Sequence, residues 1–167
     1  MRKQQGFTLI ELVVVIIILG ILAVVAAPKF MNLQGDAKAS TLKGMEAALK
    51  GANSIVYSKA VIKGIEKADG SHADNDYVTI DSAATPTTIK TVYGYIAGDK
   101  DEVAKALEAS SSDWTIEKPA DDTVSSANVI IHLKDNSPSA TNKCFLEYTQ
   151  ASASGSLPTY SVVNTNC

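Results

Sequence analysis

The sequence predicts an α+β fold in which one long N-terminal helix packs by its second half on an antiparallel β-sheet. Three observations carry that prediction. Phe7 to Ala27 is apolar except at Thr8, Glu11 and Gly20. From Phe30 to Ala60 the apolar residues recur three or four apart. Beyond Gly64, short β-prone runs alternate with polar turns, and two cysteines, Cys144 and Cys167, stand late in the chain.

The 167 residues suit one globular domain plus one accessory element. A formal net charge of −3 offers no general basic face, which argues against a nucleic-acid partner. Aromatic residues make up only 6% of the chain, so the core outside the early apolar block is modest and benefits from a staple. Two cysteines allow one pairing, and an exported segment meets an oxidising compartment where that pair forms a disulfide.

The apolar block is long enough to cross a bilayer, which takes about 20 residues of helix. Arg2 and Lys3 precede it and should hold the N-terminus on the cytoplasmic side. A cleaved secretory signal with Val25-Ala26-Ala27 as its site, or a permanent anchor, are the other readings of such a block. Glu11 distinguishes it. A carboxylate inside an apolar segment costs about 2.5–3.5 kcal/mol on insertion scales, and no Lys or Arg lies inside the run to offset it. Cleavage after Gly6 would create a partner, the α-amino group of Phe7, with a reference pKa of about 7.7–8.0. A modest axial shift places Glu11 of one chain opposite that amine on its neighbour.

Gly6-Phe7-Thr8-Leu9-Ile10-Glu11 resembles the processing motif of type IV prepilins. Gly20 and Pro28 extend the resemblance to type IVa pilins. Ala26-Ala27-Pro28-Lys29-Phe30-Met31-Asn32-Leu33-Gln34-Gly35-Asp36-Ala37 and Gly51-Ala52-Asn53-Ser54-Ile55-Val56-Tyr57-Ser58-Lys59-Ala60 are similar to pilins of the mannose-sensitive haemagglutinin (MSHA) class. The likeness covers the early part of the chain, and the remainder matches only in outline. It implies a leader at 1–6, cut between Gly6 and Phe7, with N-methylation of Phe7. It implies a transmembrane and filament-core half-helix at 7–28, an amphipathic half at 29–63 and a head at 64–167. Phe7, Glu11, Gly20 and Pro28 become assembly residues, and Cys144 and Cys167 enclose a surface region that shapes filament contacts. The implied partners are other copies in a helical filament, a prepilin peptidase that also methylates, the inner membrane before assembly, minor pilins, and a host or abiotic surface. The implied location is the inner membrane and then an extracellular pilus on a Gram-negative-type cell. A type II secretion pseudopilin shares the N-terminal motif and is the nearest alternative, ahead of a signal-anchored periplasmic enzyme or receptor.

The remaining elements follow in order. After Pro28, which should kink the helix by removing one hydrogen bond, Phe30, Leu33, Ala37, Leu42, Met45, Ala48, Leu49, Ala52, Ile55, Val56 and Ala60 form one helical stripe. A helix from Thr8 to Lys63 would be about 80 Å long. Residues 64–84 read as a polar loop with a short strand at Tyr77–Ile80. Its Asp69, Gly70, Asp74, Asn75 and Asp76 lack the EF-hand order of ligands, so the loop is read as solvated and without metal, with His72 exposed. Thr91–Ala97 reads as one strand. Asp99 with Glu102 resembles a capping box opening a helix to about Ala109, with Val103, Ala106 and Leu107 inward. Trp114 reads as a core residue. Strands follow at 129–134, with His132 on the more polar face, and then at Cys144–Tyr148 and Tyr160–Val163. No HExxH, GxSxG, Walker A or paired CxxC pattern occurs, so neither catalysis nor a cofactor is expected.

Overall fold

The computed structural model describes residues 8–72, 76–121 and 125–167, and only the backbone of Met31 and Asn32. Helix α1 (Leu9–Lys63) runs 55 residues without a break through Pro28, about 82 Å at 1.5 Å per residue. It stops at Gly64, whose φ of 74° is left-handed and lets the Gly64 and Ile65 N–H groups turn back onto the Val61 and Ala60 carbonyls.

Two antiparallel sheets cover the second half of α1, where the sequence suggested one. The first contains β1 (Tyr77–Thr79), β2 (Thr88–Val92) and β3 (Tyr95–Ile96) in that order. Helix α2 (Lys100–Leu107) follows. The second sheet is a meander of β4 (Trp114–Glu117), β5 (Val129–Leu133), β6 (Lys143–Thr149) and β7 (Thr159–Thr165). The single strand expected at Thr91–Ala97 is a hairpin. Val92 pairs with Tyr95 across a two-residue turn in which Tyr93 and Gly94 both have positive φ, 51° and 83°. Gly94 is required there twice over, because a Cβ would also meet the Tyr57 ring at 2.9 Å.

The row of α1 that reaches the core is Leu42, Leu49, Asn53, Val56 and Ala60, all buried, flanked by half-buried Met45 and Ala52. Val78, Ile89, Ile96, Val103, Val129, Ile131, Leu146 and Tyr148 close over it. Each large apolar side chain in such a row contributes about 1.5–3 kcal/mol through burial. Trp114 is half-buried and packs on this core, as expected. The stripe drawn from the sequence was too wide. Phe30, Leu33, Ala37, Ala48 and Ile55 are exposed, and the sheets cover only a narrow side of the helix.

Asn53 is the polar residue in that row, and its role is to join the layers. Its Oδ1 accepts from the Ile96 N–H at 2.9 Å, and its Nδ2 donates to the Tyr148 hydroxyl at 3.5 Å. The Tyr148 hydroxyl in turn donates to the Ile96 carbonyl. One side chain thus ties α1 to edge strand β3 of the first sheet and to the inner strand β6 of the second. Asn53→Ala would leave the buried Ile96 N–H without this acceptor, a loss of about 1–3 kcal/mol. Chemical denaturation should show a lower midpoint with an unchanged slope; an unchanged midpoint would remove Asn53 from this role.

Burial holds the phenols of this region in their neutral form. Desolvation raises Tyr148 well above its ordinary range and pushes Tyr160 up to about 12, against the smaller opposing effect of the Asn53 hydrogen bond. In the unfolded chain both titrate near pH 10. Because the folded values are the higher ones, this contribution to stability is complete below pH 10 and declines as pH rises through about 12. Absorbance titration should therefore show these two tyrosines ionising last, together with loss of tertiary structure. Ionisation of all six tyrosines near pH 10 in folded protein would contradict it.

Two further expectations are corrected. Asp99 caps α2 by accepting from the Asp101 N–H at 2.9 Å, but the capping box does not close. The Glu102 carboxylate turns away to the Lys90 N–H at 2.8 Å and the Lys105 ammonium at 2.9 Å. The helix then ends at Leu107 because Glu108 adopts φ 47°. His132 is not on a wet face: it is buried. β5 lies between two strands, with α1 against one face and a small cluster of Ile130, Phe145 and Val163 on the other. The His132 ring contacts the Leu133 carbonyl at 2.9 Å and Glu117 at 3.2 Å.

Candidate functional site

The first turn of α1 is a closed capping box. The Thr8 hydroxyl accepts from the Glu11 N–H at 3.3 Å, and Glu11 Oε2 accepts from both the Thr8 N–H and the Thr8 hydroxyl at 2.8 Å. Glu11 therefore has an intrachain task that the sequence reading did not assign, although Thr8-x-x-Glu11 is the legible signature of it. Both bonds to the carboxylate use Oε2, and the Glu11 side chain is exposed, so Oε1 is available to a group from another molecule. Gly6 and Phe7 lie outside the described residues.

From Leu9 to Phe30 the helix offers apolar side chains on every side, and the large ones all stay exposed. Leu9 and Ile10 are about three-quarters exposed, as is Val24, and the most apolar 18-residue window has no part buried. By length and composition this segment can cross a membrane. Glu11, Gly20 and Pro28 are spaced along it, with successive separations of about 14 Å and 12 Å. They do not converge on a pocket. Gly20 has nothing within 4 Å of where a Cβ would sit, so its small size serves no contact inside the chain. An uncovered apolar helix with one carboxylate near its start is a surface for other helices or for lipid.

At the other end of the molecule Cys144 and Cys167 form a disulfide, with Cα atoms 5.0 Å apart. It closes the β6–β7 hairpin region and sets Cys167 against α1. The Cys167 carbonyl accepts from the Lys38 ammonium at 3.0 Å, and its backbone lies 3.6 Å from where a Gly35 Cβ would be. A cleft of about 290 Å³ opens between α1 and this region, lined by Lys50, Tyr57, Tyr95, Leu157 and Tyr160 among others. Tyr57 stacks on Tyr95 with ring centres 4.7 Å apart.

The fold also gathers Asp69, His72 and Asp76. Ser71 lies beside them, but its hydroxyl and the Asp76 carboxylate both face His72 Nδ1, at 3.2 and 3.9 Å. A nucleophile relay needs the serine and the carboxylate on opposite ring nitrogens. This group is not arranged for acyl transfer.

Residues 1–27 match the family described as the prokaryotic N-terminal methylation motif. The chain is 34% identical over 91 residues to the type IV narrow pilus major component PilA5 of Thermus thermophilus, a match that takes in 77% of that protein and 50% of this one. The chain belongs to the type IV pilin family. The pilin is also 41% identical over 72 residues to the fimbrial protein EcpC of Eikenella corrodens, covering 43% of its own length and 45% of that protein. It is 51% identical over 43 residues to the type II secretion system core protein G of Pseudomonas aeruginosa, covering 26% of its own length and 30% of that one. In these last two matches the pilin spans less than half of its relative. No solved structure matches it. The long helix, antiparallel sheets and C-terminal disulfide accord with the pilin fold.

Proposed function

We propose that this pilin is the major structural subunit of a type IV pilus of the MSHA class, used for surface attachment. The observation that carries the proposal is the wholly uncovered apolar first half of α1, set beside a head that buries only the second half. Lipid covers the first half before assembly, and the helices of other copies cover it afterwards. Between those two environments apolar burial changes little, so close packing and polar pairing decide the outcome. Glu11 supplies the polar pairing. After removal of 1–6, the free carboxylate oxygen meets the Phe7 amine of a neighbour. Gly20 permits close approach of helix backbones, and Pro28 marks a turn where the helix can extend.

Processing after Gly6 and methylation of Phe7 are the work of a prepilin peptidase, which makes the chain a substrate rather than an enzyme. Loss of Arg2 and Lys3 with the leader takes the net charge from −3 to about −5, which keeps exposed heads soluble. Minor pilins and a host or abiotic surface are the remaining partners.

Mass spectrometry of filaments sheared from cells tests the proposal. The expected subunit begins at N-methylated Phe7 and ends with an intact disulfide; a different mature N-terminus would reject this processing. The match to a secretion core protein supports one other reading, a pseudopilin that remains beneath the outer surface. Electron microscopy of the sheared fraction separates the two, because a pseudopilin leaves it without filaments built from this chain.

A further inference from the structure

We propose that β7 is a docking edge for the β7 strand of a second copy of this chain, the two strands pairing antiparallel about Val162 and independently of the assembly helix. The two sheets have four edges, β1, β3, β4 and β7, and the chain itself covers three of them. At β1 the outward carbonyls of Tyr77 and Thr79 accept from the Lys63 and Lys59 ammonium groups of α1, each at 2.7 Å. At β3 the Ile96 N–H donates to Asn53, and the Ile96 carbonyl accepts from the Tyr148 hydroxyl. β4 is four residues long, gives its first N–H to the Ser110 carbonyl at 3.0 Å, and lies against α2.

The fourth edge is left open. β7 runs seven residues with no charged side chain and no proline, and none of the seven is buried. Edge strands of natural proteins are commonly guarded by a lysine, a proline, a bulge or a covering element. The alternation of the ladder identifies the open groups. The Lys134 N–H donates to the Asp113 carbonyl in line with the β4–β5 register, so residues 130 and 132 direct their backbone groups to β4. Residues 129 and 131 then bond to Tyr148 and Leu146 of β6, which leaves Phe145 and Glu147 to bond to Val163 and Ser161 of β7. The N–H and C=O groups of Tyr160, Val162 and Asn164 therefore face away from the sheet. Among the described residues no hydrogen bond outside the ladder reaches a backbone group of β7.

The strand itself selects the occupant. Antiparallel pairing about Val162 sets Val162 opposite Val162 and Tyr160 opposite Asn164, the three residues whose groups are open. Each carries one N–H and one C=O, so the two strands exchange six hydrogen bonds and leave none of these groups unpaired. A slip of one residue would set open groups opposite groups already bonded to β6. On the outer face Thr159 falls opposite Thr165 and Ser161 opposite Val163, pairs that suit neighbouring strands. No like charges meet, because the strand has none. The contact is two-fold and closes on itself, whereas subunits of one helical filament all run the same way. It would join heads of two filaments running in opposite directions; that consequence rests on the filament reading, and the strand pairing does not. Each contact is small, and repetition along two filaments strengthens it.

Sedimentation of the full-length, oxidised protein in detergent micelles tests the pairing. A dimer should form as protein concentration rises, and equally so in Glu11→Ala. In isotope-labelled protein the amides of Tyr160, Val162 and Asn164 should exchange more slowly in the dimer, while those of Ser161 and Val163 change little. Thr159→Lys combined with Thr165→Lys sets like charges opposite each other at both ends and should weaken the dimer about tenfold. Both sites are exposed, so the fold is kept. Thr159→Lys protein should pair preferentially with Thr165→Glu protein and not with Thr159→Glu protein, because antiparallel strands set 159 opposite 165. A monomer at every concentration, a dimer indifferent to the lysines, or three amides that exchange as fast in the dimer would each overturn the proposal.

Discussion

Recovered filament is expected to fall sharply when Glu11 is replaced by glutamine, while the precursor is still cut and the helix still forms. The two roles of Glu11 make this variant informative. Within the chain its carboxylate caps Thr8, and a glutamine at that position of a capping box does the same. Between chains the proposed pairing needs a negative charge opposite the Phe7 amine, which glutamine lacks. A charge-assisted hydrogen bond contributes about 1.5–3 kcal/mol, so each docking step should weaken about ten- to a hundredfold. Repeated at every subunit, that removes most filament. Glu11→Ala loses the cap as well, a further cost of about 0.5–2 kcal/mol, and should yield no more filament than the glutamine variant. Shear fractions quantified against membrane-held subunit measure both. Wild-type yield from Glu11→Gln would leave the carboxylate as a helix cap and nothing more.

Removal of the disulfide should have the largest effect on the head. Cys144 and Cys167 are separated by 23 residues, and closing a loop of that length stabilises a fold by about 3 kcal/mol in the chain-entropy model. For a head of this size such a change lowers the melting temperature by on the order of 10–20 °C. The effect should reach α1 as well, because the bridge holds Cys167 against Gly35 and Lys38. The seven-pair ladder from Lys143↔Thr165 to Thr149↔Thr159 should survive, so β content should remain while stability falls. Thermal melts of the Cys144→Ser, Cys167→Ser variant beside the oxidised protein provide the measurement. Coincident melts would show that the ladder alone secures this region.

Much of the fold could be read in advance because its largest element depends on local signals. The apolar block, the helical spacing that follows and the glycine at 64 mark α1 to within a residue of its observed ends. The disulfide required only that two cysteines meet in an oxidising compartment. Errors arose where a face had to be chosen. Ile55 looks like core by spacing yet is exposed, and Asn53, which the apolar stripe passes over, is buried. Spacing records which residues share a side of a helix, not how much of that side a sheet covers. His132 was misplaced for the same reason: alternation along β5 cannot report that a second apolar cluster lies on its far face.

The two capping patterns divide the matter most clearly. Thr8-x-x-Glu11 and Asp99-x-x-Glu102 read alike as sequence. At Thr8 no other described residue competes for the carboxylate, so local chemistry decides and the box closes. At Asp99 the folded head places the Lys90 N–H beside Glu102, with the Lys105 ammonium on its own helix, and a partly buried N–H that needs an acceptor outcompetes the cap. The first half of α1, with its uncovered apolar surface and Glu11 near its start, was determined by sequence alone because its described contacts within the chain are local. The joint made by Asn53 and the burial of His132 were decided by tertiary structure, since each depends on residues brought together only when the sheets close on the core.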